Sequence, residues 1–308
     1  MAEVAAALVK ELREKTGAGM MDCKRALSDS GGDIEAAVDW LRKKGLSAAA
    51  KKAGRVAAEG LIGVATRGPV GAVVEVNSET DFVARNNEFQ SFVRALSQLI
   101  LDGNGELESL KETAFPISGR TAEEELTHLI STIGENIVLR RAKRLSTGGG
   151  AVFSYVHNAL GPGIGKIGVL VTLGSTAPAD KLAELGKQLA MHVAAANPVY
   201  LDIGSVPQFA LDREREVLRE QARASGKPDA VVERMVDGRL RKFYEEFVLL
   251  DQIFVVDQET KISRVLEQAG KEVGAQIRVE GFARFALGEG IERQRTDFAA
   301  EVAAQLKT

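Results

Sequence analysis

Cysteine is almost missing from this 308-residue chain: Cys23 is the single one, which excludes an intrachain disulfide and any cysteine-based zinc site and suits a reducing compartment. The 3 histidines leave little material for a metal centre, so neither a metal nor a cofactor is expected. An excess of one charge is missing too. With 40 Lys and Arg against 43 Asp and Glu, the net charge is -3, and no bulk attraction to nucleic acid or anionic membrane is built in. No apolar run approaches the ~20 residues that span a bilayer. Glu3 and Lys10 interrupt the N-terminal apolar stretch where a signal peptide needs continuity. A soluble, cytoplasmic protein of two or three domains is the expectation.

What is present is a change of hydrophobic period along the chain. Val4, Leu8 and Leu12 share one helical face until Thr16-Gly17, residues 22–27 form a short second helix, and Asp33 caps a third. The third carries Ile34, Ala37, Val38 and Leu41 on its apolar side and is expected to stop at Gly45. Residues 1–45 are thus predicted to be a compact three-helix unit, followed by a basic linker over 46–60. Arg42, Lys43, Lys44, Lys51, Lys52 and Arg55 lie among alanines and glycines. They read either as a loosely helical, solvated tether or as a phosphate-binding segment, although no aromatic is interleaved for base stacking.

Beyond Gly60, strands at 61–66 and 71–76 flank a Gly68-Pro69 turn, and a helix capped by Asn86 or Asn87 follows with Phe89, Phe92, Val93, Leu96 and Ile100 as its buried stripe. The same order returns with strands at 152–156 and 167–173 and a helix bearing Leu182, Leu185, Leu189 and Val193. This faint repeat predicts an α+β fold with a duplicated core of antiparallel sheets and helices, at 61–145 and 146–286. Between the repeats, 121–134 reads as a helix and 136–145 as a strand. Two charged helices, 212–224 and 229–243, are joined by Ser225-Gly226-Lys227-Pro228. They predict an inserted helical hairpin arm at about 208–245, its seam formed by Leu211, Val217, Leu218, Val232, Met235, Val236 and Phe243. Strands are expected again at 254–256 and 276–286, and residues 287–308 form a C-terminal module with a helix at 296–306.

Catalytic devices fail one by one. Gly161-Pro162-Gly163-Ile164-Gly165-Lys166 is a residue short of a phosphate loop, lacks the following Ser or Thr and leads into a strand, so it reads as a hairpin turn. Cys23 has no histidine close in sequence and reads as a small buried thiol. His128 and His192 sit in helical patterns as packing residues, whereas His157 stands at a strand tip as surface decoration or a contact. Phe82 lies outside the Phe89 stripe beside Asp81, and is either a core residue closing the hairpin or a wedge for a partner. Met20 and Met21, in a glycine-rich turn, either pack between helices or face a binding partner. No catalytic residue is assigned.

These residues resemble the translation elongation factor Ts family. The run 9–24, VKELREKTGAGMMDCK, matches its opening signature, and Glu75-Val76-Asn77 with Thr80-Asp81-Phe82-Val83-Ala84 its second. Ile133-Gly134-Glu135-Asn136-Ile137, Met191-His192, the 225–228 turn and the run Thr296 to Val302 match as well. The resemblance implies a guanine nucleotide exchange factor, not an enzyme, with elongation factor Tu, a GTPase, as its partner. It further implies a ubiquitin-associated-like N-terminal domain, a coiled-coil arm and a C-terminal helical module. Partner contacts are implied at Lys24, at Asp81 and Phe82 as an intruding loop, and at Ile133, His157, Val255 and Val256, beside the exposed Met20 and Met21. Two departures stand out: extra residues 160–165 after His157, and Ile253 where the family commonly has proline. The rival expectation is a ribosome- or RNA-associated adaptor using the basic 42–55 segment.

Overall fold

The computed structural model describes residues 5–116, 118–223 and 229–292. Three helices open the chain: α1 (Ala6–Thr16), α2 (Met20–Asp29) and α3 (Ile34–Lys52). Gly17 ends α1 at φ 66°, and the Asp33 carboxylate accepts from Ala36 N at 3.0 Å to cap α3. Leu12, Cys23, Ala26, Leu27 and Ala37 form the small buried core, which places the lone thiol in packing.

Gly45 does not stop α3. The helix runs on through Leu46-Ser47-Ala48-Ala49-Ala50 to Lys52, because those residues favour helix and Gly45 is where α3 approaches a later helix, α6 (Ala122–Ile133). A Cβ at Gly45 would lie 3.8 Å from Thr127 and Ser131 of α6. The segment expected as a loose tether is therefore, through Lys52, part of a docked helix. Arg42 adds an ion pair with Glu124 across the same contact.

The strands form two antiparallel sheets. β1 (Glu59–Arg67) and β2 (Val70–Ser78) make the first hairpin, and α4 (Asn87–Asp102) follows with Asn86 as its cap. After α5 (Leu107–Glu112) and α6, whose Thr121 and Glu124 form a reciprocal capping box, β3 (Ile137–Ser146) pairs with β2. β4 (Gly150–His157), β6 (Ile167–Ser175) and, late in the chain, β7 (Ile277–Ala286) build the second sheet in the order β4-β6-β7. Phe89, Phe92, Val93 and Leu96 of α4 pack on Leu61, Val74 and Val76 of the first sheet. Leu182, Leu189 and Val193 of α7 (Ala179–Ala196) pack on Val169, Val171 and Leu173 of the second. Ile62, Val64 and Val73 meet Val152, Leu170 and Ala283 between the sheets. The result is helix, sheet, sheet, helix, and it explains why β1 and β6 read as unbroken apolar runs: both of their faces are covered.

The internal repeat is visible in fine detail. β3, paired with β2, and β7, paired with β6, each carry a β-bulge just past the sixth residue of the partner strand: Glu75 pairs with Arg141 but Val76 with Leu139, and Thr172 pairs with Gly281 but Leu173 with Val279. Gly60 and Gly150 sit at φ 121° and 123°. A Cβ there would fall 2.2 Å from Val76 O and 2.0 Å from Leu173 O, so both hairpins need glycine at the same place.

The turn at 158–166 is more than a hairpin end. It sends a two-residue strand, β5 (Ile164–Gly165), onto the free edge of β1 and buries Ile164 in the first core. The arm consists of α8 (Gln208–Arg223) and α9 (Asp229–Phe247). Its seam is Leu218, Val232, Val236 and Leu240, while Leu211 and Phe243 belong to a basal cluster with Val206 and Val248. Val217, expected in the seam, is exposed. The expected strand at 254–256 is instead a turn stabilised by Phe254 N to Thr260 O and Gln258 N to Phe254 O. An unforeseen α10 (Ile262–Val273) follows it. The 225–228 turn and the 296–306 helix lie outside the described residues.

Candidate functional site

β2 ends with the pair Ser78–Ile137, and there the backbone ladder stops. Two carboxylates continue it. Glu135, just after α6, accepts from Thr80 N at 2.9 Å and Thr80 Oγ1 at 2.6 Å. Glu79 in turn accepts from Asn136 N at 2.6 Å and pairs with Arg55 at 3.5 Å. Each segment thus supplies a glutamate to the other's backbone N–H, a reciprocal strap of charge-assisted hydrogen bonds. Ser78 Oγ donates to Thr80 O, and Asn136 Nδ2 donates to Arg55 O, so the end of the basic stretch joins the same node.

Phe82 emerges directly beyond this strap. On its other side Val83 and Ala84 are buried, Arg85 N donates to Phe82 O, and Gln90 Nε2 holds Ala84 O. The phenylalanine itself is 76% exposed, and Asp81 is exposed beside it. Of the two alternatives for Phe82, the core one is ruled out: a large ring stands in water on a loop fixed at both ends. Ile133, the last residue of α6, is half-buried against the first core and adjoins the strap.

His157 reaches the same end of the sandwich. Ser78 pairs with Glu59, Glu59 takes the Lys166 ammonium at 3.1 Å, and Lys166 N donates to His157 O. The imidazole is exposed, its Nδ1 3.2 Å from the Tyr155 hydroxyl. Val255 and Val256 occupy the turn before α10, half-buried and 46% exposed respectively. Their loop is held by His192, which is fully buried: Nδ1 accepts from Val255 N at 3.3 Å, and Nε2 faces Gln252 Oε1 at 2.9 Å. Burial pushes His192 below the ordinary histidine value, and the bond to Gln252 only partly offsets it. His128 is likewise lowered, first by burial and then by Arg120 nearby.

In the N-terminal unit, Met20 and Met21 open α2 at 61% and 74% exposed, with Lys24 exposed beside them. Neither methionine packs between helices. The site residues therefore fall into three places: the N-terminal helices, the sandwich end bearing Asp81, Phe82, Ile133 and His157, and the Val255–Val256 loop. Glu79, Thr80, Glu135 and Asn136 carried no role of their own in the sequence, and Arg55 only one as part of the basic segment; the strap pairs residues 55 and 57 positions apart.

Among the described residues no group of three or more His, Cys, Asp or Glu is placed to hold a metal ion, and no helix is long and apolar enough to cross a membrane. Half of the six cations of the basic stretch are engaged: Arg42 pairs with Glu124, Lys44 with Asp22 and Arg55 with Glu79.

Comparison with known proteins bears on these features together. The family described as Elongation factor TS matches residues 79–289, from the strap to the end of the second sheet. The chain is 64% identical over 308 residues to the Elongation factor Ts of Paramagnetospirillum magneticum, covering 100% of this chain and 99% of that one. It is 65% identical over 308 residues to that of Rhodospirillum rubrum, with both chains fully covered. The Elongation factor Ts of Rhizobium leguminosarum is 53% identical over 307 residues, again over the full length of both. With a strapped aromatic loop, a duplicated sandwich and relatives matched from end to end, the chain belongs to the elongation factor Ts family of translation factors.

Proposed function

We propose that this protein binds the GTPase elongation factor Tu in the cytoplasm and promotes GDP release by disturbing the partner's magnesium and phosphate site. The observation that carries this is Phe82: a ring 76% exposed on a loop that is pinned on both sides. An exposed aromatic on a rigid support enters a partner's surface without first losing loop entropy. Asp81 beside it brings a negative charge toward phosphate-binding elements. Met20, Met21, Lys24, Ile133, His157, Val255 and Val256 supply the remaining contact surface.

Exchange makes and breaks no covalent bond. The factor must bind the nucleotide-free partner more tightly than the GDP-bound one, and linkage then weakens GDP by the same factor. A thousandfold acceleration of release requires lowering the exit barrier by about 4 kcal/mol. Burying one phenylalanine contributes about 2–3 kcal/mol, so the ring needs the other contacts to hold the complex while it acts.

A role as an RNA adaptor draws less support, because half of the six cations of the 42–55 segment already neutralise carboxylates of this chain. Calorimetric titration into nucleotide-free and GDP-saturated elongation factor Tu tests the proposal. Tighter binding to the nucleotide-free form, with modest salt dependence, is expected. Equal affinity for the two forms would remove the thermodynamic basis for exchange.

A further inference from the structure

We propose that Glu135 is a positioning residue for Phe82: its carboxylate, holding Thr80 by both the backbone N–H and the hydroxyl, keeps the aromatic loop in the one conformation that presents the ring. Three features carry this. The β2–β3 ladder ends at Ser78–Ile137, so without the strap nothing in the backbone pairing orders residues 79–81. Glu135 uses both oxygens on the same residue, at 2.9 and 2.6 Å, which fixes Thr80 in orientation as well as position. Phe82 also has little packing of its own to set its direction, being 76% exposed, so its aim depends on its neighbours.

The strap has a second consequence. Glu135 follows α6, and α6 is the helix on which α3 docks through Gly45 and the Arg42–Glu124 ion pair. Arg55, just beyond α3, closes on Glu79 and on Asn136 of the same node. The N-terminal helices bearing Met20 and Met21 and the loop bearing Phe82 are thereby joined through α6 and the node that follows it.

The inference rests on the exchange-factor reading but separates from it experimentally. In the isolated full-length protein, Glu135→Ala is expected to speed amide hydrogen exchange at Thr80 and the following loop while β2 upstream of Ser78 stays protected. Unchanged protection at Thr80 would overturn the strap whatever the partner does. In GDP release from elongation factor Tu, Glu135→Ala is expected to lower the limiting rate about tenfold, as when the presenting conformation falls to roughly a tenth of the population. The half-saturating concentration should move by less than about twofold, since docking through the N-terminal helices is untouched.

Thr80→Val, which removes only the hydroxyl donor, should give a smaller loss of the same kind and covers the case in which Glu135→Ala folds poorly. The decisive comparison is the double variant. If Glu135 acts through Phe82, then Phe82→Ala/Glu135→Ala releases GDP at the rate of Phe82→Ala alone, within about twofold. Multiplying losses would overturn the positioning role. A Phe82→Ala variant with unimpaired exchange would instead overturn the wedge itself, and the role in exchange with it.

Discussion

Phe82→Ala is expected to slow stimulated GDP release by roughly 30-fold, the kinetic equivalent of losing about 2 kcal/mol of aromatic burial against the partner. The same substitution should leave unfolding within about 0.5 kcal/mol of the parent, as for other surface changes. The basis is the exposure of the ring and its separation from the Phe89, Phe92 and Val93 core. Truncating either of those buried phenylalanines would cost about 3–5 kcal/mol. Thermal unfolding and stopped-flow release on one protein preparation separate the two cases. A large fall in melting temperature with normal release per folded molecule would show that Phe82 supports the fold and not the exchange.

The second large effect concerns stability. Glu75, fully buried in β2, accepts from Arg140 Nη1 at 2.9 Å, Arg141 Nε at 2.5 Å, Gly288 N at 2.8 Å and Asn77 Nδ2 at 3.1 Å. The β-bulge at Arg140 makes this possible by bringing two successive arginines to one carboxylate. The bond from Gly288 ties the chain beyond β7 to the first sheet. Burial alone would raise this carboxyl, but the hydrogen bonds from Gly288, Arg141 and Arg140 outweigh it and lower it below its ordinary 4.5. A depressed carboxyl stabilises the fold fully above that value and loses its contribution as the pH falls through the folded-state value.

Glu75→Gln is therefore expected to cost about 3 kcal/mol at neutral pH, near the low end for breaking a buried ion pair because both arginines keep some contact with water. It should also flatten the loss of stability as the pH falls from above 4.5 through the lower folded-state value. Urea unfolding across that range is the measurement. Parent and variant losing stability in parallel on acidification would show that the carboxylate does not drive the acid limb.

Much of this architecture was legible in the sequence because burial writes a clear pattern. The stripe from Phe89 to Ile100 and the apolar runs of β1 and β6 mark helix and strands directly, while the cover on both strand faces shows only in the fold. Gly45 misled because a glycine after an apolar stripe resembles a helix stop, whereas here it lets two helices touch. The short apolar run at 254–256 resembled a strand, but Phe254 is buried against His192 at 6.0 Å between ring centroids, and the chain turns around it. The α10 stripe of Ile262, Val265, Leu266 and Ala269 has the helical spacing in the sequence and packs on the second core. In the candidate site, the place of Phe82 outside the stripe left core and wedge both open, and it is the fold that shows the ring exposed. The strap was not legible either, because reciprocal bonds between residues more than fifty positions apart leave no local pattern.

The central claim is tested most directly by release of labelled GDP from purified elongation factor Tu, followed by stopped flow with this protein at substoichiometric concentration. The expected result is repeated turnover, each molecule discharging many partners, with release accelerated about a thousandfold at saturation. A release rate unchanged even in stoichiometric excess would contradict the account.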